Sequence, residues 1–529
     1  MNVAAIGQSR IARFLAESVY DNPVVVRDLR SRMRGQKGFA SLGGYAVVLT
    51  AALLVAGLLM WSEMPKTINS QTQSKLGMHL FMVLNWAQVV LLTLIVPSIT
   101  SGSMSREVEQ KTIDMLALTP LSGGKIALGK QLSAFVYALA LMVTSVPLAS
   151  ICLILGGISP AEVAVTYALL IGWVFLLTSA GVYISTLFGK TASASAVGFG
   201  AVMVYALHTG YTSFVIFTMG RWYGVHAVPG GPTLPPLALI NPGWGPYAAL
   251  ATAQFGAVAV PLAVSALIMN VAHGMLFLLL ASSHVRYRTV EVALPARLLL
   301  LGLAVFSGLA TAAGVGTLGG AASLYSMLGM RYVYAGWWGL LWCVPFCTGV
   351  IKRKPGQSMF AYALSGRKAF KSDVGGAICF MLLLMLAESL VFSWAFSTSP
   401  AFSRAYTGSG ARSGYGGYWS YYAVRMLSHA CLTVAVCCIG ILASSIAKSR
   451  QVAAVFVSIT VVLGSGLLGA MMMAMMRVTR VGNTVTQRMA EQEPFTIVVY
   501  LIISAVALAL ASKAHQRFGG VRSEEWETA

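Results

Sequence analysis

The chain has 529 residues, 57% of them hydrophobic and 10% charged, with a mean hydropathy of +0.76. A soluble domain carries about 25% charged residues, so this balance excludes an ordinary globular fold and predicts an all-α polytopic membrane protein. The net charge of +20 would suit nucleic acid, but the placement of the basic residues between apolar runs accounts for it, and no nucleic-acid partner is expected.

Residues 1–39 carry seven Lys or Arg and read as a cytoplasmic amphipathic segment; they are too charged for a signal peptide. Twelve apolar runs long enough to span a bilayer follow, at about 40–61, 78–99, 131–157, 162–188, 194–219, 256–281, 298–319, 334–350, 375–397, 421–447, 451–476 and 495–512. The eighth is the weakest, being short and holding a Pro. With residue 1 cytoplasmic, 26 Lys or Arg fall on inside segments and 9 on outside ones, with Arg425 within a run. That bias places both termini inside, in a cell inner or plasma membrane. The seven cysteines show neither metal nor pairing spacing.

Between the second and third runs lies "SREVEQKTIDMLALTPLSGGKIALGK", residues 105–130. Gly124 to Lys130 fits the GxxxxGK part of a phosphate loop, but Gln131 stands where Ser or Thr should hold magnesium and no strand precedes it. Leu121 to Lys125 resembles the LSGGQ signature of ABC ATPases, without the soluble domain such a signature needs. Both are therefore set aside, and no cofactor is expected on this chain. Residues 105–118 set Val108, Ile113, Met115, Leu116 and Leu118 against Arg106, Glu107, Glu109, Gln110, Lys111 and Asp114, an imperfectly amphipathic pattern that predicts a helix of three to four turns. Ser103 or Ser105 would cap it, Glu107 and Glu109 would favour its first turn, and Thr119-Pro120 would end it.

These same residues carry a resemblance. Glu107, Thr112, Leu116, Thr119-Pro120-Leu121-Ser122, then Ile126 and Gly129-Lys130, are similar to the pattern of ABC-2 type transporter permeases. Asn22-Pro23 with Arg27, Asp28, Arg30 and Arg34 resembles the amphipathic N-terminal helix of that family, and Asn241-Pro242 recurs before its sixth span. The resemblance covers about residues 20–290. It implies a permease subunit whose coupling helix, near 105–121, docks on a separate ATP-binding subunit that holds ATP and Mg. The implied contacts are Glu107, Glu109, Thr112, Asp114, Leu118, Thr119, Pro120 and Leu121, with Arg27 and Arg30 in support. Export of an unspecified cargo is implied.

One such unit has six spans. "STLFGKTASASAVGFGAVMV" (185–204) resembles "SSIAKSRQVAAVFVSITVV" (444–462), and "ALTPLSGGKIAL" (117–128) resembles "AYALSGRKAF" (361–370). These pairs predict a six-helix unit over 40–290, a degenerate second unit over 291–512 and a cytoplasmic tail over 513–529. A second permease copy or the second half would complete the transporter.

Charges inside a span are costly, so Glu388 and Arg425 are candidates for a translocation path or an ion pair. Asn85, Gln88, His208, Asn270 and His273 read as contacts between helices. Two other classes stay open: an ion-coupled secondary transporter relying on Glu388 and Arg425, and a membrane-embedded lipid or glycan transferase. Neither explains residues 105–130, and the outer loops offer no acid–base constellation for a transferase.

Overall fold

In the computed structural model the described residues are 22–34, 36–62, 70–112, 122–222, 241–248, 252–255, 258–287, 294–316, 342, 344–348, 351, 357–365, 374–397, 415–447, 452–461 and 497–516. Among them, eight helices are long and apolar enough to cross a membrane, and three shorter apolar ones occur at Thr191–Leu207, Leu294–Leu309 and Val452–Val461. The chain is thus a helical multi-pass membrane protein. Of the expected eighth run, 334–350, only residues 342 and 344–348 are among the described residues.

The chain divides into two compact units, Met1–Ala253 with Val258–Thr289, and Gln254–Ala257 with Val290–Ala529. In the first unit, α1 (Pro23–Met33) precedes α2 (Gln36–Ser62) and α3 (Ser70–Thr100). After a turn come α4 (Ser105–Glu109), α5 (Gly123–Val143), α6 (Val146–Leu155), α7 (Pro160–Leu187) and α8 (Thr191–Trp222). A 3-10 turn at Pro242–Trp244, α9 (Gly245–Ala248), β2 (Val258–Pro261) and α10 (Leu262–Tyr287) complete it, and β1 (Thr252–Phe255), the pairing partner of β2, spans the point at residue 253 where the chain passes out of the unit.

Three departures from the sequence reading have local causes. The third run is not one helix but two, because α5 stops at Val143. The Thr144 and Ser145 hydroxyls donate to Leu141 O (2.7 Å) and Met142 O (2.6 Å), and Pro147 brings no N–H to continue the ladder. The sixth run, 256–281, starts with strand β2, which pairs with β1 just before the run, rather than as helix, a small exception to an all-α chain. Between α6 and α7 the chain reverses through Gly156 (φ 88) and Gly157 (φ 83), a left-handed conformation that side chains disfavour. At Gly157 an added Cβ would also lie 1.9 Å from Ser74 O. A capping box then starts α7: Glu162 N–H donates to Ser159 Oγ (3.2 Å) and Ser159 N–H to Glu162 Oε2 (2.6 Å).

Lipid supplies no hydrophobic drive for helices to associate, so small residues and polar contacts set the packing. Helices α7 and α10 meet where Gly172 faces Leu267 and Gly274 faces Phe175. Helix α3 ends in a notch: a Cβ on Gly181 would strike Thr100 and one on Gly198 would strike Ser101. Trp173, fully buried, stacks on Tyr205 (5.7 Å between centroids) and donates to Thr93 Oγ1 (3.3 Å).

The second unit holds α11 (Leu294–Gly316), α12 (Met359–Ala363), α13 (Ala377–Ser397), α14 (Tyr415–Ile446), α15 (Val452–Val461) and α16 (Ile497–Gln516). Gly308 of α11 lies against the backbone of Glu388 in α13, and Gly440 of α14 against Cys347. Arg297, 1% exposed at the start of α11, stands 5.0 Å from the ring centroids of both Phe346 and Phe380. Both rings give that buried guanidinium a cation–π contact.

Candidate functional site

The charged segment after α3 begins with helix α4, and its start is capped by another helix. Neither Ser103 nor Ser105 serves as the cap. Instead the Met104 and Ser105 N–H groups donate to Ser185 Oγ of α7, at 2.7 and 3.0 Å. The expected helix over 105–118 is also shorter: α4 ends at Glu109. Lys111 N–H bonds Val108 O (3.1 Å) and Thr112 N–H bonds Glu107 O (2.9 Å), with Lys111 left-handed at φ 57. That pair of bonds is a Schellman stop, with Lys where Gly is usual. It costs about 1 kcal/mol. The Thr112 hydroxyl, bonded to the Glu107 carboxylate, helps to hold the turn.

Four charges from three elements then converge. Arg27 Nη2 of α1 lies 2.8 Å from Glu107 Oε1 of α4, and Lys130 Nζ of α5 lies 2.9 Å from the same oxygen. Lys130 Nζ also reaches Asp28 Oδ2 (3.0 Å), and Arg27 Nε reaches Asp28 Oδ1 (3.1 Å). The side chain of Lys130 is 5% exposed and those of Asp28 and Glu107 are 13% exposed, whereas Arg27 remains 54% exposed. Two cations and two anions close a square, so each buried charge has a partner. Burial works against the Arg27 charge, but Asp28 and Glu107 outweigh it and raise its pKa. Burial lowers that of Arg32, Asp28 opposing and the nearby Arg106 reinforcing.

Backbone contacts seat α1 on α5. Asn22 caps α1 by accepting from Val24 N–H (3.1 Å) while its Nδ2 donates to Lys125 O (2.8 Å). Gly129 lets the two helices approach, since a Cβ there would lie 3.0 Å from both Asn22 Nδ2 and Val24 Cβ. Arg32 Nη2 donates to Ile99 O (3.1 Å) at the end of α3. Glu109 accepts the Thr191 N–H (3.1 Å) at the start of α8, where a carboxylate suits the helix dipole.

Of the residues singled out in the sequence, Arg27, Glu107 and Thr112 come together, and Glu109, at the end of α4, bonds the start of α8 instead. Arg30 is exposed and stands apart. Asp114, Leu118, Thr119, Pro120 and Leu121 lie outside the described residues, as does the side chain of Arg425, whose backbone belongs to α14. Glu388 is 4% exposed within α13. The phosphate-loop look-alike is ordinary helix: Ser122 caps α5 by accepting from Lys125 N–H (3.3 Å), and Gly124 to Lys130 are helical. Sequence reasoning assigned no role to Asp28, Lys130 or Ser185. Lys130 stood at the edge of the run 131–157, counted with the inside segment and read only as part of the Gly129-Lys130 pair of the motif.

The second element of the resemblance, Asn241-Pro242, is also built in. Asn241 Oδ1 accepts from Gly243 N–H (3.0 Å), and its Nδ2 donates to Thr209 Oγ1 (3.3 Å). Asn85, midway along α3, donates to Pro242 O (2.8 Å) and Gly243 O (3.0 Å). The Trp86 ring fills the place a Cβ on Gly243 would take. Gln88 accepts from Ser145 (2.9 Å), a contact between α3 and the break after α5. No protein-family model, curated protein or solved structure matches the chain, so a functional reading rests on the motif and this geometry.

Proposed function

We propose that the chain is the membrane-spanning permease of an ABC transporter of the ABC-2 type, driven by ATP hydrolysis on a separate subunit. The observation that supports it is the four-charge square of Arg27, Asp28, Glu107 and Lys130. It joins the three elements that carry the resemblance: the N-terminal helix, the segment after the second crossing and the start of the third. A force on that segment would be shared by α1 and α5 through short ionic bonds, and by α7 and α8 through Ser185 and Thr191. In this reading Glu107 and Thr112 brace the loop from within. The ATP-binding subunit meets Asp114 and Leu118 to Leu121, with Glu109 and the exposed edge of Arg27 beside them. Twelve spans in two six-helix halves, both termini cytoplasmic and an export direction complete the proposal.

The test is purification of the tagged full-length chain from its own membranes, with ATP hydrolysis measured in the eluate. An ATP-binding chain should co-elute, and Asp114→Lys should lower its recovery several-fold while the protection of α1 from hydrogen exchange is unchanged. Elution without any ATPase, or full recovery with Asp114→Lys, overturns the assignment.

A further inference from the structure

Helix α1 also carries exposed residues that take no part in the charge square. With 3.6 residues per turn, Val26, Arg30 and Met33 fall on one stripe, and Arg34 stands one turn beyond Arg30. Val26 is 47% and Met33 42% exposed, and Arg30 and Arg34 are both exposed. Val24 and Val25, on the other side, are buried. Neither Arg30 nor Arg34 has an acidic partner among the described residues, whereas Arg27 is held by Asp28 and Glu107. Helix α2 begins three residues after Met33, and its Phe39 (76%), Val47 (67%) and Leu58 (71%) are exposed.

Two guanidinium groups one turn apart, beside exposed apolar side chains and at the foot of a bilayer-spanning helix, match a particular chemistry. Guanidinium forks bind phosphate oxygens strongly, basic groups next to a span attract anionic leaflets, and an apolar stripe suits acyl chains. We propose that Arg30 and Arg34 bind the phosphate headgroup of an anionic phospholipid whose chains lie along Val26, Met33 and Phe39. An acidic soluble protein is the competing occupant. The apolar stripe favours lipid, because a soluble partner would gain less from Val26 and Met33 than a bilayer that already surrounds α2.

The experiment is native mass spectrometry of the full-length detergent-solubilised chain, titrated with phosphatidylglycerol and, in parallel, phosphatidylcholine. The wild-type chain should bind phosphatidylglycerol in preference, and Arg30→Gln with Arg34→Gln should weaken that binding roughly thirtyfold at low salt. Arg30→Lys with Arg34→Lys should keep most of it. None of these substitutions touches the charge square, so hydrogen-exchange protection of α1 serves as the folding check. Equal binding of the two lipids overturns the proposal, as does a double Gln variant that binds phosphatidylglycerol like the wild type. Displacement of the lipid by equimolar inorganic phosphate would reduce the site to a plain anion site. Loss of an acidic soluble partner with lipid binding intact would assign the face to protein instead.

Discussion

Replacing Lys130 by Ala removes the centre of the charge square while leaving helix α5 free to form, since Ala is the best helix former. Two carboxylates, each 13% exposed, would then share only Arg27. Exposed pairs contribute about 0.2–1 kcal/mol, and breaking a buried one costs about 3–5 kcal/mol. With Lys130 itself 5% exposed, the lower end of the buried range applies, about 3 kcal/mol. The loss falls on the docking of α1 and α4 rather than on the whole bundle, so it reads as local opening. Hydrogen exchange over residues 23–33 and 105–112 should quicken roughly 150-fold, at 1.4 kcal/mol per tenfold. Exchange in α7 and α10 should be unaffected. Adding Asp28→Asn to Lys130→Ala should restore part of the protection by removing one stranded carboxylate. Unchanged exchange in α1, or an equal loss across α7 and α10, would refute the reasoning.

Two further outcomes follow from single contacts. Ser185→Ala withdraws the acceptor shared by the Met104 and Ser105 N–H groups; about 1–2 kcal/mol of α4 docking should be lost, seen as roughly tenfold faster exchange of those two amides. Gly274→Val forces a side chain into Phe175, 2.6 Å from the nearest ring atom. It should lower the thermal unfolding midpoint of the purified protein, at about 1–3 kcal/mol, whereas Gly43→Val, with nothing within 4 Å, should leave the midpoint in place.

What the residue pattern revealed and what it hid differ by range along the chain. Apolar runs announce membrane helices because length and composition alone decide them, and α1 was legible from Asn22-Pro23 and its spaced arginines. The square was not, since Arg27 and Glu107 are 80 residues apart and no local period links them. Lys130 was hidden further by sitting in a false phosphate-loop pattern. The end of α4 was missed because amphipathic spacing runs on past Glu109, while a left-handed Lys111 carries no signal of the kind Gly would have given. The break at Thr144–Ser145 was readable in principle from Pro147, but three apolar residues on either side masked it.

One long helix of the first unit is gripped at two separate points. Asn85 and Trp86 of α3 grip the Pro242–Trp244 turn, and fifteen residues later Thr100 and Ser101 sit in the recesses left by Gly181 and Gly198. At 1.5 Å per residue these grips are about 22 Å apart, most of a bilayer core. An inserted residue between them would turn one grip by about 100° relative to the other. The length of α3 is therefore a gauge block, and the two grips are machined to it.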